Sequence, residues 1–336
     1  MTSPLVTHLL RSKKMNREEL EEIVELLPEG KMRFYYFKDR YALLLLQLAI
    51  QGEVSKKDLK QSPFARLLEK EVVKESIRNA RGTRLCAETF DTYWPRDYEC
   101  YFLTLGLWGS RSGGWWQTSR PGYNLVLQLN FSSKHDTPYR KLIDPDKERP
   151  FAYVHHPVAG GIFDLNPESG GSLHTLAWSR LDIDLGNGDA LIEEIQTDWI
   201  RFAEFAKRRA LKAEDKVDFF GTEMRSTNVL QYVNSVLRQH RATWDEAMLS
   251  ATVWFLRDVL GLSAIYYHTQ DSGIRLKRIS GTAPPRSLYS RLPRRFCFQP
   301  TDRLPTFLPR TGKSAVAKAR YRNARFSVMD FEQSRL

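Results

Sequence analysis

The chain has 336 residues, with 51 Lys or Arg, 40 Asp or Glu and a formal net charge of +11. Aromatic residues make up 12% of it, which excludes disorder over most of the length. The longest apolar run, residues 41–50, is too short to cross a bilayer, and residues 1–15 lack the apolar core of a secretory signal. Three widely spaced cysteines fit neither a disulfide framework nor a metal site, so we expect a reduced, cytoplasmic protein without a membrane partner.

The first 90 residues predict a helical N-terminal region. Residues 16–27, 40–50 and 64–80 carry apolar side chains at helical spacing, and Ser55 and Asp58 have the spacing of a short capped helix. This region is either a cap on the main domain or a helix-turn-helix-like module. The cap is favoured, because no helix in it has the basic character of a recognition helix.

From residue 98 the apolar period changes to two, which indicates strands. Strands are predicted at residues 99–108, 124–131, 151–156, 173–185 and 189–196. Gly186-Asn187-Gly188 predicts a two-residue hairpin turn between the last two. Helices are predicted at residues 198–213, 228–239 and 243–260, followed by a strand at 264–268, a short helix and a strand at 296–298. This order predicts an α+β core domain at 91–300, built on a central antiparallel sheet of about five strands.

The positive charge is concentrated near the C-terminal end. Residues 275–325 hold 14 of the basic residues and one acidic residue, a net charge of +13, which leaves −2 for the rest of the chain. Six prolines in this segment predict a largely extended backbone, and 301–336 reads as a basic, Pro/Arg-rich tail. Arginines interleaved with aromatic residues are typical of surfaces that contact phosphates and stack on bases. The predicted nucleic-acid contacts are Arg278, Arg286, Arg291, Arg294, Arg295, Arg320 and Arg322. The alternative is a segment that wraps around the acidic body.

The densest polar sequence is EEIQTDW at residues 193–199, between a strand and a helix. Strand alternation places Glu194 and Gln196 on one face and Glu193 and Ile195 on the other. One face packs on the core, so one glutamate is expected to be partly buried. Burial raises the pKa of a carboxyl and suits a general base near neutral pH. The alternative is that this segment has a structural purpose, in which Asp198 caps the following helix.

Residues 191–199, LIEEIQTDW, resemble the IEEIQSDW block of an associated domain found in large polyvalent proteins of phages and mobile elements. The strand at 174–181, HTLAWSRL, resembles the one that precedes this block. In that family a helix that begins with Trp, a strand that ends in Thr and a Tyr-x-x-x-Pro-like segment follow. Trp244, Thr269 with Gln270, and Tyr289 with Pro293 fall in matching order here, so the resemblance covers about residues 173–298. Ile200 stands where the family tends to have His. The substrate-binding candidates are Gln196, Trp199, Trp244, Thr269 and Gln270.

The order of predicted elements is also similar to that of GNAT-type acyltransferases, an analogy at the level of the fold. The similarity implies Glu194 as general base and Tyr289 as general acid, with Asp198 as a third catalytic candidate. Those enzymes bind the pyrophosphate of acyl-CoA at a Q/R-x-x-G-x-G/A turn between a strand and a helix. This chain has no glycine between Gln196 and Ile200, so acyl-CoA is left as an alternative partner and no cofactor is assigned.

Three functions follow from these patterns. The first is a nucleic-acid-associated protein of a mobile element or defence system, which contacts polyanions through residues 275–325. The second is a GNAT-like acyltransferase. The third is a metal-dependent hydrolase or nuclease that uses Glu193, Glu194, Asp198 and a histidine. No specific metal-binding motif supports the third function, and no metal ligand is predicted.

Overall fold

The computed structural model describes residues 22–23, 26, 31–80, 82–108, 117–120, 122–142, 173–280, 284–308, 321–333 and 335–336. The strands are β1 (Met32–Tyr36), β2 (Val54–Ser55), β3 (Arg84–Leu85), β4 (Glu99–Trp108), β5 (Asn124–Asn130), β6 (Thr175–Asp184), β7 (Asp189–Gln196), β8 (Lys216–Phe219), β9 (Thr222–Arg225), β10 (Ala264–His268), β11 (Gln299–Thr301) and β12 (Phe326–Asp330). The helices are α1 (Arg40–Ala49), α2 (Lys56–Gln61), α3 (Glu71–Asn79), α4 (Ser133–Leu142), α5 (Asp198–Ala210), α6 (Ser226–Gln231), α7 (Arg238–Trp254), α8 (Gln270–Lys277) and α9 (Arg286–Arg295).

Eight strands form one mixed sheet in the order β1-β4-β5-β6-β7-β10-β12-β11. β7 and β10 are parallel, and the other described neighbours in this sheet are antiparallel. The helices α5, α6 and α7 connect β7 to β10, as a parallel pair requires a long crossover. The mixed α and β composition is confirmed. The sheet is larger than the five or so strands predicted for it, because it also takes in β10 and β11, from the strand pair predicted after the helices, and β1 and β12, which were not predicted as strands.

The N-terminal segment differs from its prediction at two points. β1 pairs with β4 along the edge of the sheet, so the region is not purely helical. The helix predicted at 64–80 is divided into a 3-10 turn, Ala65–Glu69, and α3, because Lys70 between them has an extended backbone. Most of the helix predicted at 16–27, and the strand predicted at 151–156, lie outside the described residues.

The predicted hairpin of β6 and β7 is present, but its turn is longer than two residues. Residues 185–188 form the loop, and Asp184 lies opposite Asp189. Gly188 has a φ of 68°, and a Cβ added there would lie 3.1 Å from Ser263 Oγ. The Asp184 carboxylate accepts hydrogen bonds from both nitrogens of Asn187. These bonds stabilise a four-residue loop in place of the predicted Asn-Gly turn.

The basic segment is folded where the structure describes it. Residues 286–295 form α9 although Pro293 lies inside it, which corrects the prediction of a largely extended backbone. Pro285 precedes the first helical residue, where a proline is tolerated. The strand predicted at 296–298 is shifted to β11, because Cys297 has a φ of 62° and lies in a turn. From the segment predicted as a tail, β12 lies between β10 and β11 in the sheet.

Apolar side chains form one large core and a smaller cluster. The large core joins α1, α5, α7 and α9 to the sheet. The smaller cluster includes Leu191 of β7, Tyr266 of β10 and Phe326 of β12, with Leu308 and Tyr321 packed nearby. Among the described helices, none combines the length and the apolar character needed to cross a bilayer.

Candidate functional site

A β-bulge in β7 determines where the two adjacent glutamates point. Arg180 lies opposite Glu194 and Leu181 opposite Ile192, so Glu193 is the extra residue of the bulge. The side chains of both glutamates consequently lie near the guanidinium group of Arg180. The prediction that Glu193 shares a face with Ile195, opposite Glu194, is wrong, because strict alternation fails at a bulge.

Glu193 is fully buried and fully hydrogen-bonded. Its carboxylate accepts from the Ser119 amide at 2.8 Å and from the Ser119 hydroxyl at 2.9 Å, and lies 3.2 Å from His268 Nε2. His268 Nε2 is also 2.9 Å from Ser119 Oγ, and its Nδ1 is 3.0 Å from Ser272 Oγ. Tyr321 donates to the Ser119 carbonyl at 3.2 Å. These bonds connect β7, β10 and the start of α8 to residues 117–120.

Glu194 and Tyr289, two of the predicted catalytic residues, meet around Lys277. Arg180 donates to Glu194 at 2.9 Å, and Lys277 Nζ lies 3.9 Å from the same carboxylate. Lys277 donates to the Glu193 carbonyl at 2.7 Å and lies 3.4 Å from the Tyr289 hydroxyl. The side chains of Arg180 and Lys277 are both completely buried. We define the charged cluster by its members: Ser119, Arg180, Glu193, Glu194, His268, Lys277 and Tyr289.

The pKa values in this cluster reflect burial and neighbouring charges. Burial alone raises the pKa of the Glu193 carboxyl, but the hydrogen bond with His268 and the charges of Arg180 and Lys277 lower it to about 2. Burial lowers the pKa of His268 and of Lys277, and it raises the pKa of Tyr289. Near neutral pH, Glu193 is therefore ionised, His268 is neutral and Tyr289 holds its proton.

A second buried ion pair lies beside the cluster. Arg120 donates to both carboxylate oxygens of Asp182, at 2.7 and 2.8 Å, and its guanidinium lies 4.2 Å from the Phe307 ring centre. Burial raises the pKa of Asp182 to about 6, although Arg120 opposes this rise. Buried charges are costly unless paired, and their concentration in one place is typical of functional sites.

Asp198 and Gln196 contact each other at the start of α5. Gln196 donates to Asp198 at 2.7 Å, and Asp198 also pairs with Arg201 and lies 3.4 Å from Trp178 Nε1. The cap of α5 is Thr197, whose hydroxyl accepts from the Ile200 amide. The alternative prediction that Asp198 caps this helix is wrong, since Thr197 precedes it with a better placed oxygen.

The remaining substrate-binding candidates lie in other places. Trp199 is fully buried in the large core and donates to the Tyr232 hydroxyl at 2.7 Å. Trp244 is partly buried against the same core. Thr269 caps α8, and Gln270 donates to the Pro284 carbonyl. The structure therefore groups Glu194 with Tyr289, and Gln196 with Asp198. Trp199, Trp244, Thr269 and Gln270 belong to neither group.

The predicted basic contacts divide into exposed and paired residues. Five of them are exposed: Arg278, Arg286, Arg291, Arg294 and Arg322. Arg295 is engaged by Glu246 at 3.1 Å and lies 3.7 Å from Asp245. Arg320 lies outside the described residues.

Several residues of the charged cluster were not predicted as site residues. Arg180 interrupts a buried apolar strand, and His268 ends one, so both are polar residues where the pattern demands apolar ones. That mismatch is the signal that could have found them. Within the described part of the chain, no three His, Cys, Asp or Glu side chains are placed to hold a metal ion.

Comparison with protein-family models gives no match, and comparisons with curated proteins and with solved structures give none either. The fold and the site together define the class: a mixed α and β protein with a buried charged cluster at the carboxyl ends of a parallel strand pair.

Proposed function

We propose that the protein associates with nucleic acid and that the outer face of α9 contributes phosphate contacts. The observation that carries the proposal is the exposure of Arg286, Arg291 and Arg294 on one helix. The opposite side of α9 buries Leu288 and Leu292. The three guanidinium groups therefore project from an anchored helix, and less conformational entropy is lost when they bind.

The charge around these arginines favours a polyanion. Among the described residues, no acidic side chain pairs with Arg286, Arg291 or Arg294, whereas Arg295 on the inner side is paired with Glu246. Arg66 donates to the Arg294 carbonyl and so adds a fourth guanidinium at this end of the helix. Unpaired cations release counterions from a nucleic acid when they bind its phosphates.

Binding of a labelled duplex and of a labelled single strand of the same length, followed by fluorescence anisotropy between about 50 and 200 mM salt, tests the proposal. Replacing the three arginines of α9 with glutamine should reduce the salt slope by about 2.7, at about 0.9 per phosphate contact. A matched control replaces the exposed Lys56, Lys57 and Lys60 of α2 with glutamine, for the same change in net charge. Salt-insensitive binding, no binding, or equal effects of the two triple variants would refute the proposal.

Group transfer at the charged cluster is a second candidate, favoured by the position of the cluster in the sheet. The parallel pairing of β7 and β10 ends where Ile192 lies opposite Tyr267. The cluster begins at the next residues, Glu193 and His268. In sheets with parallel strands, ligands bind outside the carboxyl ends of the strands where connections diverge. An antiparallel meander followed by a helical crossover to a parallel strand is the basis of the analogy with GNAT-type acyltransferases in this proposal.

In this second proposal, an acceptor amine attacks the thioester carbonyl of acetyl-CoA, so a C–N bond forms and the C–S bond breaks. Glu194 takes the proton that the amine loses, and Tyr289, which keeps its proton near neutral pH because burial raises its pKa, donates to the departing CoA thiolate. Asp198 in the first turn of α5 disfavours a pyrophosphate at that helix end, so the support rests on the strand order and the Glu194–Tyr289 pair. Thiol release from acetyl-CoA, measured with an acceptor amine, should fall at least about 100-fold in Glu194→Gln. If calorimetry detects no binding of acetyl-CoA, the proposal of acyl transfer is refuted.

A further inference from the structure

We propose that α5 carries a second contact surface, which binds single-stranded nucleic acid by stacking bases on two exposed phenylalanines. This inference rests on the proposed association with nucleic acid and assigns it a substrate class. We define the α5 face by five residues: Arg201, Phe202, Phe205, Arg208 and Arg209.

Two aromatic rings on this face are open to solvent. Phe202 is 41% exposed and Phe205 is 51% exposed. They are three residues apart on a helix, so they project from the same side. Exposed rings forgo the hydrophobic stabilisation of burial, and exposed apolar surface is a candidate for contact with a ligand.

The rings are held in place by the other side of the helix. Ala203, Ala206 and Ala210 are buried, and Trp199 at the start of α5 is fully buried in the large core. The Phe220 ring lies 6.0 Å from that of Phe202. The platform is therefore positioned before any ligand arrives, which lowers the entropic cost of stacking.

Arginines surround both rings. The Arg201 guanidinium lies 5.2 Å from the Phe202 ring centre, and those of Arg208 and Arg209 lie 6.0 and 5.8 Å from that of Phe205. Among the described residues, no acidic side chain pairs with Arg208 or Arg209. The neighbouring Glu204 pairs with Arg241. Arg201 beside Phe202 pairs with Asp198, so the unpaired cations of this face lie beside Phe205. Rings bordered by guanidinium groups are complementary to a strand that presents bases and phosphates alternately.

The geometry points to a single strand rather than to a duplex or a membrane. Bases in a duplex are stacked on one another and offer no free face to a protein ring. Helices that lie in a bilayer interface present a broad apolar face. Within α5 the two rings are the large apolar side chains that are exposed, and each has a guanidinium beside it; Leu211, which follows the helix, is exposed as well. Flat rings bordered by cations suit unpaired bases better than acyl chains.

The experiment measures anisotropy of a labelled oligothymidylate of about 20 nucleotides and of a duplex of the same length. Phe202→Ala with Phe205→Ala should weaken single-strand binding by about tenfold per ring and change duplex binding less than about threefold. Phe202→Leu with Phe205→Leu should weaken single-strand binding as much as the double alanine variant, because leucine keeps apolar area but cannot stack on a base. The comparison variant, Trp94→Ala with Tyr98→Ala, removes two other exposed rings, which contact each other and Tyr35 edge to face and have the single guanidinium of Arg40 beside them. It should weaken single-strand binding less than about threefold.

The outcomes separate this inference from the proposed function. Single-strand binding that survives both phenylalanine variants, while the α9 variant weakens binding, overturns the α5 surface alone. Loss in the phenylalanine variants with no effect of the α9 variant overturns the α9 proposal alone. Binding to phosphatidylserine vesicles that needs the two rings, without binding to the oligothymidylate, would replace nucleic acid by a membrane and overturn the inference. Single-strand binding that the leucine variant retains in full would overturn stacking.

Discussion

Replacing Glu193 with glutamine should lower the free energy of unfolding of the protein, because it removes the buried anion of the charged cluster. The environment lowers the pKa of Glu193 from 4.5 to about 2. One pKa unit corresponds to about 1.36 kcal/mol, so this lowering corresponds to folding free energy on the order of 3 kcal/mol. A glutamine side chain cannot carry the charge, so Glu193→Gln should lower the free energy of unfolding by about that amount.

The sign of the pH dependence follows from the lowered pKa. A carboxylate that is more acidic in the folded state stabilises the protein above its unfolded pKa, and this contribution is lost as the pH falls from 4.5 toward 2. At about pH 3.5 the wild-type protein has lost on the order of 1 kcal/mol of this contribution, whereas the variant has none to lose. The difference between the two proteins should therefore shrink to about 2 kcal/mol at that pH.

Urea unfolding followed by tryptophan fluorescence, near neutral pH and at about pH 3.5, measures both differences. The matched control is Glu223→Gln, because Glu223 is exposed and pairs with Lys216 at 3.0 Å on the surface. That substitution should change stability by less than about 0.5 kcal/mol. A cost below about 1 kcal/mol for Glu193→Gln, or an equal cost at both pH values, would show that Glu193 is not a stabilising buried anion.

Three further substitutions probe the surroundings of the site by urea unfolding. Asp182→Asn leaves Arg120 buried without its counter-ion and should lower the free energy of unfolding by about 3 kcal/mol. Arg120→Met combined with Asp182→Leu should recover most of that loss. If the double variant recovers nothing, the loss does not come from the unpaired charge. Thr197→Ala removes the α5 cap and should cost about 1 kcal/mol, and an unchanged midpoint would refute the capping assignment. Gly188→Ala should cost more than Gly221→Ala, because both have positive φ but the added Cβ meets Ser263 only at Gly188; equal costs would rule out the contact.

The sequence predicts the central strands well because their periodicity is local. β4, β5, β6 and β7 agree with their predicted ranges within two residues, and the long apolar helix at 243–260 overlaps α7. The site is harder to predict, because its partners are distant along the chain. Glu193 is 74 residues from Ser119 and 75 from His268, and no local pattern brings them together.

Two local rules also failed for physical reasons. Alternation assigned Glu193 to the wrong face, since a bulge depends on pairing with β6 and has no signature in β7 alone. The prolines of the basic segment predicted extended chain, yet Pro293 lies in the last turn of α9, where Leu288 and Leu292 bury the helix against the core. Tertiary packing outweighs the local preference in both cases.

The position of β12 between β10 and β11 has a consequence for the order of assembly. β11 precedes β12 along the chain, and among the described strands it pairs with β12 alone. Until β12 docks, β10 is an open edge, and β11 has no neighbour to pair with. The sheet can therefore be completed only after residues 326–330 have left the ribosome. Until then, the side of the cluster that includes His268 borders an unpaired strand, which is a site for aggregation during synthesis.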